Sequence, residues 1–376
     1  MGFVPRGIIP PIITPLTDDG EVNYPVLRQM VNHLIDNGVH GLFPLGTTGE
    51  FYAFDDDTYR KILETVKDET RGRVPVYGGA NHITTRGVIR LVKICEEVGV
   101  DAVSVLTPMF VSQTQDELYA YYKEIAESTS LPIILYNNKP KTNVTITPAT
   151  VAKLAEIDNI VAVKDSTGDM TNAAEYIRLT RDNDNFHVLM GRDTLIHAAL
   201  CYGATGAIAS CANVAPRIAA DIYDKFMEGD LKGSLDAQFE LAPLRIACGM
   251  GTFPAVIKEG LVQQGILVKN GFDEKRAEES AKNFADSSLD GVYSHGYQRF
   301  PRVIDYIQKG YIDVNAVPEK ITGFGAVERW DGHLGMGNLN AKMAMQRAVE
   351  LAAQLGIGTV AMSNTNHWMR GGAYGW

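Results

Sequence analysis

The chain is short of the residues from which several common sites are built. Its four cysteines, Cys95, Cys201, Cys211 and Cys248, are scattered without a C-x-x-C pair, which excludes a disulfide scaffold and a zinc-ribbon pattern. Eight histidines (33, 40, 82, 187, 197, 295, 333 and 367) form no HxxxH or HExxH pair, so no metal is expected. No long Lys/Arg run occurs, and 35 basic residues face 45 acidic ones for a net charge of −10. That balance argues against nucleic acid or an anionic membrane as partner. No apolar stretch approaches transmembrane length. The opening MGFVPRGIIPPIITP lacks the basic-then-apolar order of a signal peptide, so a cytoplasmic protein is expected. A Walker A string and a G-x-G-x-x-G fingerprint are both absent. The looser GIGTVA at Gly356 precedes a strand-like run instead of following one and reads as a turn.

What is present is ample material for a core: 45 % hydrophobic and 21 % charged residues over 376 positions, more than one ordinary compact unit needs. The composition is uneven. Residues 267–376 hold 12 basic and 12 acidic residues, so the whole acidic excess lies before them, whereas all three tryptophans (Trp330, Trp368, Trp376) lie within them. Two segments of different character, 1–265 and 266–376, are expected. No Ser/Gly/Pro-rich linker marks the joint.

The first segment alternates short β-branched runs with amphipathic stretches. Runs begin near Gly7 (GIIPPIIT), Gly41 (GLFPL), Val74 (VPVYGGA), Ala102 (AVSVL), Ile133 (IILYN), Ile160 (IVAVK), His187 (HVLM) and Gly206 (GAIAS). One run per ~28 residues is the spacing of βα units. Near-continuous apolar strands between helices imply a parallel sheet covered on both faces, and eight of them fit a (β/α)₈ barrel with extra C-terminal helices. Those helices are expected in APRIAADIYDKFMEG, LKGSLDAQFELAPLRIA and FPAVIKEGLVQQG.

Reacting groups in such a barrel gather at the C-terminal strand ends. There the sequence places GTTGE (46–50), Tyr136 with Asn137, and Lys164 inside VAVKDSTG. A lysine closing an apolar run is costly to bury unless it is paired or has a lowered pKa. A desolvated amine is also the nucleophile that condenses with a ketone. Taken alone, Lys164 reads first as the partner of a nearby carboxylate such as Asp165. Thr47 and Thr48 read as helix caps, and Tyr136 as a core residue.

Together, GTTGE, LYNN and VKDSTG, with the opening IITPLTDDGEVN and the later ANVAPRIA, resemble the dihydrodipicolinate synthase / N-acetylneuraminate lyase family of class I aldolases over residues 7–265. The resemblance implies a covalent lysine imine with no external cofactor, acting on pyruvate or another 2-keto acid and an aldehyde, in a homo-oligomer (tetramer or dimer). Lys164 is then the imine nucleophile, and Tyr136 the proton carrier. Thr47 and Thr48 hold the carboxylate on a turn permitted by Gly46 and Gly49, and Ile208 lines the substrate site. Two departures stand out. Family members that make dihydrodipicolinate carry a second relaying tyrosine where this chain has Met109 and Phe110. They also carry a carboxylate-clamping arginine where it has Lys141, which keeps charge but loses the planar fork. The resemblance with these departures implies aldol cleavage or formation of a 2-keto-3-deoxy sugar acid. A dehydratase of such acids and 4-hydroxy-tetrahydrodipicolinate synthase are the near alternatives.

The tail differs. GVYSHGYQRFPRVIDYIQKG, WDGHLGMGNLNAKMAMQRAVELAAQLGIG and NTNHWMRGGAYGW resemble the N-terminal part of malate/L-lactate dehydrogenase-type reductases, of the 2,3-diketogulonate reductase branch. By that resemblance His295 is a proton donor, Arg299 lies near the substrate carboxylate, and Asn366 and His367 face cofactor or substrate, with NAD(P)H bound only if the tail is functional. Those reductases continue well beyond the matching portion, so the tail is expected to be a partial α+β piece with exposed apolar surface. A bifunctional enzyme and a non-catalytic 2-keto-acid-binding fusion are the remaining readings.

Overall fold

The structure is a computed structural model and describes residues 2–17, 19–249, 251–258, 260–261, 275–276, 279–280, 282–284 and 299–367. The chain divides into two compact units, residues 1–259 and 260–376.

In the first unit the β-branched runs become parallel strands: β1 (Gly7–Ile8), β2 (Tyr77–Gly79), β3 (Ala102–Leu106), β4 (Ile133–Asn137), β5 (Ile160–Asp165), β6 (His187–Met190) and β7 (Gly206–Ala207). Their order is β1-β7-β6-β5-β4-β3-β2. The remaining run, second in chain order and at residues 42–43, fills the gap between β1 and β2 through single bridges, Phe43 to Pro11 and Leu42 to Val76. Gly7 pairs with Gly206 and Ile8 with Ala207, so the sheet closes and the fold is a (β/α)₈ barrel. The second run is only a pair of bridges because Pro10, Pro11, Pro44 and Pro75 remove backbone donors around it.

Two layers of apolar side chains follow from strands buried on both faces. Ile9, Phe43, Tyr77, Ile134, Ala162, Leu189 and Ile208 fill the barrel. Leu135, Val163, Val105 and Val103 face outward and pack with helix residues such as Leu63, Leu91, Tyr122 and Tyr176. The tyrosines of DELYAYYKEIAE fall in this layer: Tyr121 and Tyr122 donate to the carbonyls of Leu106 and Val105. They lie on α4 (Gln115–Glu127), which opens with a capping box between Thr114 and Glu117. Helix α3 (Thr85–Val98) ends on Gly99 at φ +77°, a left-handed position that suits glycine. After β7 come α9 (Pro216–Met227) and α10 (Leu231–Ala247), the expected extra helices. Asn213, from ANVAP, accepts from the N–H of Ile13 (3.1 Å) and donates to the carbonyl of Pro11 (2.9 Å), lashing the segment after β7 to the segment after β1.

The second unit holds α11 (Phe300–Gln308), β8 (Glu319–Phe324), β9 (Val327–Asp331), α12 (Gly337–Leu355) and β10 (Thr359–Ser363). Its sheet runs β10-β9-β8, with β9 antiparallel to β8 and parallel to β10. Every residue of β8 is exposed. A small cluster of Phe284, Val303, Ile304, Ile312, Val314, Met336 and Leu339 forms its core. No helix among the described residues is long and apolar enough to cross a membrane.

Candidate active site

The parallel register puts Tyr136 directly beside Lys164 and Asn137 beside Asp165. Because strand side chains alternate, each pair shares a face. Lys164 and Tyr136 point into the barrel mouth, where the Lys164 amine lies 3.9 Å from the centre of the Tyr136 ring and 5.4 Å from that of Phe43. Asp165 turns the other way, accepting from Asn137, Thr167 and Asn172. The possibility that Lys164 pairs with Asp165 is thereby overturned: consecutive strand residues cannot meet. Among the described residues Lys164 forms no salt bridge, although it is only 4 % exposed.

Burial pushes the Lys164 amine below its ordinary value, partly offset by the nearby Tyr136 and Asp193. Burial pushes the Tyr136 phenol up, but the Lys164 charge and the polar contacts of its oxygen outweigh this and leave it lowered. The Tyr136 hydroxyl is 3.3 Å from Thr47 Oγ1 and accepts from the Asn138 side-chain amide at 2.8 Å. An amine and a phenol that are both depressed and lie in contact can pass a proton between them.

These groups line a chamber of about 380 Å³ whose walls include Thr47, Thr48, Tyr136, Lys141, Lys164 and Ile208. Thr48 is buried and Ile208 is 1 % exposed. Lys141 lies on the short helix α5 (Lys139–Thr142) and also borders a neighbouring hollow that includes Phe110. Phe110 is 95 % exposed at φ +80°.

The GTTGE turn corrects one expectation. Its left-handed residues are Leu45 (φ +59°) and Glu50 (φ +55°), not Gly46 or Gly49. Gly49 is required by crowding instead: a Cβ there would stand 2.8 Å from the Ile12 carbonyl and 2.9 Å from the Leu45 nitrogen. Its own carbonyl accepts from Thr14 Oγ1. Gly49 thus supports the threonines from behind. Glu50 pairs with Lys258.

Several chamber residues escaped the sequence reading: Asn138, Ser166, Arg192, Asp193, Ser210, Arg245 and Cys248. Arg192 and Asp193 follow β6 at a C-terminal strand end, so GRD after HVLM was the available signal. Arg245 and Cys248 come from the end of α10, which no strand-end rule selects.

In the tail, His295 lies outside the described residues. Arg299 stands before α11. The Asn366 amide donates to the backbone carbonyls of Tyr311 and Leu334, with that of Gly335 at 3.4 Å, and the His367 carbonyl lies where a Cβ on Gly337 would stand. Asn366 thereby ties the loop after β10 to the backbone at Tyr311, Leu334 and Gly335.

Comparison with known proteins gives two family matches. The dihydrodipicolinate synthetase family model covers residues 4–280, and the malate/L-lactate dehydrogenase model covers 260–376. A 4-hydroxy-tetrahydrodipicolinate synthase of Methanopyrus kandleri is 38 % identical over 268 residues, 71 % of this chain and 89 % of that protein. One from Methanothrix thermoacetophila is 37 % identical over 253 residues, 67 % and 85 % of the respective chains. Among solved structures, the Escherichia coli K12 prophage protein YagE, described as a dihydrodipicolinic acid synthase family member in complex with pyruvate, has TM-score 0.67 and 31 % identity, covering 69 % of this chain and 88 % of that one. Dihydrodipicolinate synthase of Thermotoga maritima matches with TM-score 0.67 and 31 % identity over 70 % of this chain and 88 % of that one.

Proposed function

The chain belongs to the dihydrodipicolinate synthetase family, and from that premise we propose that its barrel makes or breaks a carbon–carbon bond between pyruvate and an aldehyde through an imine on Lys164, with a 2-keto-3-deoxy sugar acid as natural substrate. The observation that carries this reading is a buried amine without a carboxylate partner among the described residues, seated over a tyrosine in the chamber at the barrel mouth.

In the cleavage direction the neutral Lys164 amine adds to the keto carbon, and water leaves to give an iminium. Thr47 and Thr48 orient the adjacent carboxylate. Tyr136 takes the proton of the C4 hydroxyl, the C3–C4 bond breaks, and its electrons move into the iminium as an enamine while the aldehyde departs. Protonation at C3 and hydrolysis release pyruvate and restore the amine. Polar walls at Asn138, Ser166 and Ser210 suit a hydroxylated chain.

The names of the relatives favour a second reading, 4-hydroxy-tetrahydrodipicolinate synthase. Met109 and Phe110, which carry no hydroxyl, and Lys141 in place of a guanidinium fork weigh against it. We read residues 1–265 as the catalytic domain and 266–376 as an appended reductase-like segment, within a homo-oligomer to which the exposed Phe110 contributes contact area.

Borohydride reduction in the presence of pyruvate is expected to leave one permanent adduct on Lys164, absent from Lys164→Ala. No adduct on the wild-type chain would end the imine reading. A screen of 2-keto-3-deoxy acids against aspartate semialdehyde plus pyruvate then separates lyase from synthase.

A further inference from the structure

The chamber carries more positive charge than imine chemistry uses. Among the described residues its lining includes Lys141, Lys164, Arg192 and Arg245 against one carboxylate, Asp193, in a chain whose net charge is −10. Lys164 is the nucleophile. Arg245 Nε stands 3.8 Å from Asp193 Oδ2, and Asp193 also accepts from Ser210 Oγ and the Cys211 N–H. Arg192 is different. Its Nη2 reaches the Thr167 carbonyl at 3.4 Å, and its Nε is buried with no hydrogen-bond partner among the described residues. A buried guanidinium donor left unmade is costly.

The surroundings hold this donor in place. Gly168 at φ +85° lies against it, and a Cβ there would come 3.2 Å from Arg192 Nε. Arg192 follows β6, whereas Tyr136 lies on β4 and Lys164 on β5 between them. The proton-carrying side of the imine and the spare guanidinium therefore lie on opposite flanks of the nucleophile. Ser166 and Ser210, both on the chamber wall, add hydroxyl partners on the Arg192 side.

We propose that Arg192 receives a second carboxylate, at the far end of the substrate from the keto group, so that the substrate is a 2-keto-3-deoxy acid of aldaric type and the aldehyde formed on cleavage carries its own carboxylate. The inference rests on the imine reading and deepens it. A planar guanidinium is the group that recognises a carboxylate at two points. Lys141 supplies charge at the chamber wall without that fork, so the discrimination falls to Arg192.

The test compares two six-carbon 2-keto-3-deoxy acids, one ending in a carboxylate and one in a hydroxymethyl group, each assayed by pyruvate release. The wild-type chain is expected to prefer the dicarboxylate by roughly 10–100-fold in kcat/KM, the range of a charge-assisted hydrogen bond. Arg192→Gln is expected to collapse that ratio mainly through KM, and Arg192→Lys to restore part of it. No preference in the wild-type chain, an unchanged ratio in Arg192→Gln, or a stronger preference for a 6-phosphate than for the carboxylate overturns the proposal. Pyruvate trapping on the wild-type chain separates the two claims. An adduct without dicarboxylate preference sinks only the Arg192 assignment, whereas absence of the adduct sinks the imine. Dicarboxylate binding to Lys164→Met, read by calorimetry with and without Arg192→Gln, reports on Arg192 when no imine can form.

Discussion

The barrel and the tail are both built on sheets, yet they treat their strands in opposite ways. In the barrel, β2, β3, β4, β5 and β7 consist wholly of buried residues, because closure removes edges and helices cover the outside. In the tail, β8 is exposed along its whole length, and Phe324, Val327 and Ile321 lie open at 92 %, 53 % and 53 %. The contrast separates resemblance from function. A segment can match a family well enough to form its strands and helices while leaving the apolar faces of those elements uncovered. Depressed, contacting groups such as Lys164 and Tyr136 need the covered kind of sheet, since burial lowers the amine and the charge of that buried amine in turn lowers the phenol.

Substitutions sharpen this contrast, beginning with the largest effect. Lys164→Ala is expected to lower turnover at least about 1,000-fold and abolish borohydride trapping, as measured by pyruvate release and intact mass. Residual trapping above background would move the nucleophile elsewhere. Tyr136→Phe should cost about 100–1,000-fold in kcat while leaving trapping possible, because proton transfer is lost but the amine is not. Loss of trapping in that variant would make the tyrosine part of imine formation itself.

Stability contrasts the two units directly. Leu135→Ala, at a fully buried outward position of β4, is expected to cost about 2–5 kcal/mol in denaturant titration. Phe324→Ala in the exposed β8 should stay within about 0.5 kcal/mol. Similar costs at the two sites would mean that the face of β8 is covered in solution. The smallest effect lies in pH. Imine formation needs the neutral amine, so its rate should rise with pH and level off above the Lys164 pKa, with a midpoint below that of an ordinary lysine. Tyr136 raises that pKa, so Tyr136→Phe should move the midpoint lower still; an upward move would contradict the contact between the two groups.

Much of the barrel was legible because its signals are local and repeated. Apolar runs at βα spacing marked the strands, and a charged residue at the end of one of them marked Lys164. Proline content in GIIPPIIT and GLFPL was visible too, and it explains why that pair of runs meets only through bridges. Three things were not legible. The role of Gly49 depends on the Ile12 carbonyl, a neighbour 37 residues away in sequence. Arg245 and Cys248 reach the chamber from a helix whose own pattern shows no distinct apolar face and contains Pro243. Arg192 follows a strand end like Lys164, but what distinguishes it, a guanidinium nitrogen without a partner, exists only once Gly168 and Thr167 surround it.

The Asn213 lash has a consequence for how the molecule is made. Its two bonds to Pro11 and Ile13 join positions 200 or more residues apart, and the β1–β7 seam beside it consists of only two paired positions. Contacts so distant in sequence are slow to form, because the intervening chain must first be confined. During synthesis Lys164 and Tyr136 emerge well before residue 213, so the ring that positions them stays open until the last barrel strand has left the ribosome. The nucleophile is thus present in the growing polypeptide long before the enclosure that makes it reactive.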